Sequence, residues 1–277
     1  MGSKAWLGCL LLGLPWLVAS LAPLQAVAAV DAAAANAVEL TATERAWLEA
    51  ALPVLQFARR EGLPLDVIVQ PQPTPGETPL GMAFVAGRCK LVLSMRGNPE
   101  AQATLDRIDP GLRPVVVEAI AAHELGHCWR HVTQRWGALP AGLYDATTWL
   151  AVSASQADLL KDMWRTRREE GFADLVGLAW THMHHPTRYA EVHTWHARLR
   201  ADQELETGPH DTRAWVQLAA DPTRFKVGVS LFEQVQGLWV AGILAPAVPG
   251  AASLRSATLA QAEVDRPDAV PRLLLRD

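Results

Sequence analysis

The sequence predicts an α+β fold, in which a small N-terminal β-sheet packs on a buried helix and the C-terminal part is mostly helical. Three short stretches of β-branched and apolar residues lie between residues 65 and 95. Residues 115–125 are apolar almost all round the predicted helix, which is typical of a buried helix. From about residue 156 onward, helical patterns follow one another without a further strand.

Length and charge limit the classes of function. The chain has 277 residues, half of them hydrophobic, so it can bury the core of one domain with elaborations. The formal net charge is −4. We therefore expect no nucleic-acid partner, because such proteins carry a strong basic patch. The sequence does not predict an oligomeric state.

The N-terminus has the pattern of a secretory signal peptide. Lys4 precedes a long apolar stretch, and the small residues AVA at 26–28 provide a cleavage site. We predict that residues 1–28 are removed and that the protein is periplasmic or secreted. An uncleaved membrane anchor is the alternative, but Pro15 and Pro23 interrupt the apolar stretch. After cleavage, no stable membrane insertion is expected.

The mature chain is predicted to consist of a linker, one domain and a tail. Residues 29–40 form an Ala-rich linker, residues 41–240 form the domain, and residues 241–277 form a weakly ordered tail. The last segment is rich in Ala, Pro and Arg and shows no clear periodicity.

The N-terminal half of the domain is predicted to form a helix followed by three strands. Thr41 or Thr43 can cap the helix and Gly62 can end it, while Pro53 would kink or split it. After the third of these strands, residues 96–113 are expected to form an irregular connection with room for one helical turn. The strands are expected at residues 65–70, 80–87 and 89–95.

The C-terminal half is predicted to form five helices. The first begins at Arg113, where the following proline suits the first turn, and continues to Gly137. The second is capped by Ser155 after a loop and ends before Pro186. The other three are expected at residues 187–205, 212–220 and 229–244.

The stretch AAHELGHCWRHV lies within the predicted buried helix and contains two histidines four residues apart. His123 and His127 therefore share one helical face and can bind one metal ion. Glu124 is rotated by about 100° from His123, so it can reach a water molecule that the metal activates. This is the H-E-x-x-H pattern of zinc-assisted hydrolysis. The alternative is two core histidines that are satisfied by hydrogen bonds.

A third metal ligand is expected in the stretch REEGFADLVGLAW. Glu170 and Asp174 are four residues apart, so they also share a helical face. Glu170 can bind the metal, and Asp174 can accept a hydrogen bond from the far ring nitrogen of a ligand histidine. Glu169 fits a solvated charged segment. Three small residues would let this helix pack closely on the first one: Gly171, Ala173 and Gly177.

The other histidines are expected to lie outside the ligand set. His131 follows His123 by two helical turns, which is too far for one ion, so it is interpreted as a surface residue or a support for the ligands. The histidine-rich segments HMHHP and HTWH are interpreted as mostly exposed.

The combination of HELGH and a later EGFAD resembles the gluzincin group of zinc metallopeptidases, which carry H-E-x-x-H on one helix and E-x-x-x-D on another. The E-x-x-A-D form is most similar to bacterial families related to the prenyl-protein and stress-response membrane peptidases. The resemblance covers roughly residues 65–220, and it implies a zincin-like fold, a Zn²⁺ cofactor and a peptide or protein substrate. It also implies that the zinc ligands are His123, His127 and Glu170. By the same resemblance, Glu124 is the general base and Asp174 orients a ligand histidine.

The same resemblance suggests further groups in the cleft. The segment GPHDTRAW is similar to a His-Pro-then-Arg segment of related peptidases, so His210 and Arg213 are candidates for stabilising the oxyanion. Asp211 stands where the proline would be, and capping of the short helix by Asp211 is the alternative. Tyr144 is another candidate. Zincin folds can bind a peptide along an edge strand, and the stretch CKLVLSM is the predicted edge strand.

Three functions are compatible with these residues. The first is an exported zinc metallopeptidase, in which Glu124 takes a proton from the attacking water and passes it to the leaving amine. The second is a non-catalytic zinc protein that binds a partner, although a structural site has no need of a general base. The third is a zinc amidase that acts on a cell-wall crosslink.

Export would leave two cysteines in the mature chain, Cys89 and Cys128, which are candidates for a disulfide. Cys128 follows Glu124 by four residues and shares its helical face, toward the cleft and its bordering strand. Cys89 begins that strand in the prediction. The alternative is two separate free thiols.

Overall fold

The computed structural model describes residues 39–70, 78–143, 153–201 and 208–245. The predicted signal peptide, most of the linker, Tyr144 and most of the C-terminal tail lie outside these ranges. The expectations for those segments, and for the boundaries of the domain, therefore remain predictions.

Helix α1, Ala42–Arg60, begins with a capping box. The hydroxyl of Thr41 accepts a hydrogen bond from the backbone N–H of Glu44, and the Glu44 carboxylate accepts one from the backbone N–H of Thr41. Thr41, rather than Thr43, is thus the cap. The helix continues through Pro53, so it is not split there.

A three-stranded sheet follows, with β3 in the centre and the order β1-β3-β2. β1 pairs with β3 in parallel, and β2 pairs with β3 in the antiparallel direction. The prediction that CKLVLSM forms an edge strand is therefore wrong, because β3 is hydrogen-bonded on both sides; β1 and β2 are the edges. The strands are β1 Leu65–Val69, β2 Leu80–Val85 and β3 Arg88–Leu93.

The other regular elements of the described chain are helices, so the structure is mixed α+β with a small sheet and mostly helical content, as predicted. Within the four described ranges, no helix combines the length and the apolar character that are required to cross a membrane. The helices are α2 Pro99–Asp106, α3 Arg113–Val132, α4 Ala154–His184, α5 Tyr189–Ala201, α6 Arg213–Leu218, α7 Leu231–Gln234 and α8 Gln236–Leu244.

Several element boundaries differ from the prediction. The connection after β3 contains α2, a helix of 8 residues, instead of a single turn. Ser153 caps α4 in place of Ser155, because Ser153 is extended and its side chain accepts from a backbone N–H, whereas Ser155 is already helical. A short 3₁₀ turn delays the start of α5 to Tyr189. The helix predicted at residues 229–244 is divided at Val235 into α7 and α8.

Small residues bring α3 and α4 into close contact, as predicted for two of the three positions. A Cβ atom at Gly177 would lie 2.7 Å from the carbonyl oxygen of Ala119, closer than such atoms approach in proteins. A Cβ atom at Gly126 would lie 3.1 Å from the Cα atom of Ala173. Gly171 serves a different contact, because it faces a tryptophan ring of α6.

The structure contains the predicted disulfide between Cys89 on β3 and Cys128 on α3, with the two Cα atoms 5.6 Å apart. Both cysteines are fully buried. The bond therefore fixes the central strand of the sheet to the helix that carries the two motif histidines.

Loss of this disulfide should lower the free energy of unfolding by about 4 kcal/mol, because the bond joins residues 39 apart and restricts the unfolded chain. Denaturant unfolding of the Cys89→Ser, Cys128→Ser double variant measures the loss. In the denatured, unreduced protein neither cysteine should react with a thiol reagent. Reaction of both would contradict the bond.

Candidate metal centre

Helix α3 places His123 and His127 side by side, one turn apart, at the floor of a cavity. Their Nε2 atoms are 3.2 Å apart, and their ring planes are nearly perpendicular, at 86°. His127 is buried, with 8 % of its surface exposed. The four-residue spacing thus directs the Nε2 atoms of both imidazoles to one point in the cavity.

Helix α4 adds the carboxylate of Glu170 opposite the two rings. One of its oxygens lies 3.4 Å from Nε2 of His127, and the other lies 3.6 Å from Nε2 of His123. Burial alone would raise the pKa of Glu170, but hydrogen bonds from His127 and His210 hold it well below its usual value. The three potential ligand atoms lie within 4.8 Å of one another, so this group could hold a metal ion.

Asp174, one turn after Glu170, orients the ring of His123. Its Oδ1 atom lies 2.8 Å from Nδ1 of His123. Burial opposes ionisation of Asp174, but the charges of Arg200 and His196 and the hydrogen bond from His123 hold its pKa well below the usual value. A carboxylate beside Nδ1 keeps the proton on that nitrogen and leaves the lone pair of Nε2 for a metal. The geometry is the one expected for an orienting carboxylate.

Three residues that support Asp174 were not predicted. Arg200 donates to both carboxylate oxygens, at 2.8 and 2.5 Å, and Thr212 donates its hydroxyl to one of them. His196 is buried, with Nε2 2.9 Å from Oδ1 of Asp174. The expectation that the HTWH segment is mostly exposed is therefore wrong for its last histidine. A signal was present, since residues 196 and 200 are one helical turn apart on α5.

Glu169, next to Glu170, points away from the centre and is fully buried, so the solvated segment expected there is not observed. It accepts two hydrogen bonds from the guanidinium of Arg130, both at 2.8 Å, and one from the backbone N–H of Gly137. Consecutive helical residues differ by about 100° in direction, so Glu169 stabilises the fold while Glu170 faces the two histidines.

Glu124 borders the same cavity of about 540 Å³ as the three potential ligands. It is buried, with 8 % of its surface exposed. Burial raises the pKa of this carboxyl, while the nearby His123 and His127 act in the opposite direction. A carboxylate with a raised pKa accepts a proton more readily, as a general base must.

The structure brings one of the two predicted oxyanion residues to the centre. Nδ1 of His210 lies 3.3 Å from Oε2 of Glu170, and its side chain lines the cavity and is half exposed. The guanidinium of Arg213 instead pairs with Asp211, at 2.8 Å, and does not line this cavity. The alternative that Asp211 caps the short helix is wrong, because Thr212 is the cap residue of α6 and no side chain caps it.

His131 takes part in a stack of three rings at the wall of the cavity. Its ring lies between Phe84 and Trp136, with centroid distances of 4.8 and 4.0 Å. Trp136 also contacts the ring of His127, at 5.5 Å. His131 is thus half-buried and supports a potential ligand through an aromatic contact.

No protein-family model, no curated protein and no solved structure matches the chain. The geometry of the centre is therefore what supports a function.

The two adjacent glutamates should separate metal binding from stability. Glu170→Ala should lose the bound metal, because it removes one of three potential ligands. Glu169→Ala should keep the metal but lose about 3–5 kcal/mol of unfolding free energy, because buried Arg130 would lack its partner. Elemental analysis and denaturant unfolding of both variants test this. Equal metal content in Glu170→Ala and the native protein would place the third ligand elsewhere.

Proposed function

We propose that the protein is an exported zinc-dependent metallopeptidase of the gluzincin type, with a zincin-like arrangement of its sheet and helices. One observation carries the proposal: His123, His127 and Glu170 converge on one point while Glu124 borders the same open cavity. A general base beside an accessible metal position is a feature of hydrolytic sites.

The donor atoms fit zinc. Two imidazole nitrogens and one carboxylate oxygen form a ligand set of catalytic zinc sites, which keep a fourth position open. Here the three donors line a cavity and not a closed interior, so a fourth position would face the substrate. A magnesium or calcium site would instead be built mainly from oxygen ligands.

Zinc, when bound, would polarise the scissile carbonyl and lower the pKa of a water molecule near it. The Glu124 carboxylate would accept the proton of that water during its attack on the carbonyl carbon. The same carboxyl would then donate that proton to the nitrogen of the leaving amine as the C–N bond breaks. The hydroxyl of the water stays on the carbonyl carbon, and Glu124 is ionised again.

His210 and the edge strand β2 complete the proposed site. His210 is half exposed at the cavity wall, where its imidazole could donate a hydrogen bond to the developing oxyanion. Leu80, Gly81 and Met82 of β2 line the cavity. A peptide could pair with this edge strand. β2 would then have the peptide-binding role that was expected of β3.

The buried disulfide supports export, because such bonds persist in oxidising compartments. A non-catalytic zinc-binding protein is the second candidate, but the position of Glu124 at an open cavity favours hydrolysis. A zinc amidase acting on a cell-wall crosslink would use the same residues, so substrates must distinguish it.

Glu124→Gln should keep the zinc content of the native protein and lose at least about a hundredfold in kcat, because glutamine preserves the shape but cannot accept the proton. Turnover of peptides from a library digest gives the measurement. Glu49→Gln, an exposed glutamate on α1, is the matched control and should retain native activity. Native turnover by Glu124→Gln would refute its role as the base.

A further inference from the structure

A second groove adjoins the cavity of the metal centre. Its volume is about 870 Å³, and it lies between α5 and the segment formed by α2 and its connection to α3. Three residues line both spaces: Thr104 of α2, and Trp195 and Leu199 of α5. The two spaces are therefore adjacent and share these three side chains as lining.

Helix α5 connects the two spaces through its helical periodicity. His196 and Arg200 face the metal centre, where they contact Asp174. Thr194 and Arg198, also one turn apart, face the groove. The two stripes are adjacent on one helix, so α5 borders both the metal centre and the groove.

The walls of the groove combine apolar surface with charged side chains of both signs. Arg107 and Glu191 are engaged in ion pairs with residues of their own surroundings. Arg198 is exposed and forms no ion pair within the described ranges. Asp109 also lines the groove. Such walls offer hydrogen bonds to a peptide backbone without a net preference for one charge.

We propose that this groove binds the continuation of the substrate chain, so that the substrate is an extended polypeptide and not a short peptide or a compact crosslink. The inference rests on the proposed peptidase function. Together, the cavity and the groove exceed the range of about 300–1,000 Å³ that is usual for small-molecule sites. A chain that crosses the metal centre fills both spaces, whereas a small amide leaves the groove empty.

The test compares one short peptide that the zinc-loaded protein cleaves with the same peptide extended at its N-terminus or its C-terminus. Extension on the side that enters the groove should raise kcat/KM at least about tenfold, because remote contacts supply binding energy to the transition state. Thr194→Trp should fill the groove and abolish this gain while short-peptide turnover stays native. Thr187→Trp, at an exposed threonine outside the groove, should retain the gain.

The possible results separate the two proposals. Equal kcat/KM for short and extended peptides, or a full gain in Thr194→Trp, would overturn the groove and leave the peptidase intact. Absence of cleavage for peptides of every length would overturn the peptidase and the groove with it. Ala190→Trp, which fills the same groove, repeats the test if Thr194→Trp also loses short-peptide turnover.

Discussion

The buried carboxylate of Asp174 is the interaction on which the centre depends. It lies on α4 and binds His123 on α3, Arg200 on α5 and Thr212 at the start of α6. Removing an ionised carboxylate from water costs several kcal/mol unless partners compensate. The charge of Arg200 and the hydrogen bond from His123 hold the pKa of Asp174 well below its usual value. The same contacts that make its burial tolerable also dock three helices and fix the tautomer of a potential metal ligand.

This arrangement requires α3 and α4 to lie closer together than bulky side chains permit. At Gly177, a methyl group would collide with the backbone of α3 one turn before His123. The helices would have to separate, and Glu170 would withdraw from the two imidazoles. Glycine here has a packing role, because it sets the distance between the two helices that contribute different potential ligands.

The sequence predicted what depends on local spacing. Residues one helical turn apart must share a face, so the His123–His127 pair and the Glu170–Asp174 pair could be placed from their numbers alone. The mixed fold and the disulfide followed from periodicity and from the small number of cysteines. The two helical pairs do not depend on how distant elements dock, and two cysteines allow only one disulfide.

Features that depend on docking escaped the prediction. The order of the strands depends on which strands pair after the chain has turned. β3 pairs with both β1 and β2, so it lies in the centre although it was expected at the edge. The segment around Glu169 resembles a solvated one because its neighbours are charged, yet Arg130 reaches it from another helix. His196 and Arg200 likewise acquire their role only when α5 packs against Asp174. Charge alone cannot indicate burial when the partner is remote in sequence.

The ion pair of Glu169 and Arg130 stabilises a segment that contacts the metal centre. Glu169 also accepts the backbone N–H of Gly137, and Arg130 donates to the carbonyl oxygen of Ala138, so the chain after α3 is tied down on both sides. That chain contains Trp136, whose ring packs on His127. Nδ1 of His127 is buried without a hydrogen-bond partner among the described residues. The ring of Trp136 therefore holds His127 in place, whereas the carboxylate of Asp174 holds His123. The Glu169–Arg130 ion pair stabilises the chain segment that carries Trp136.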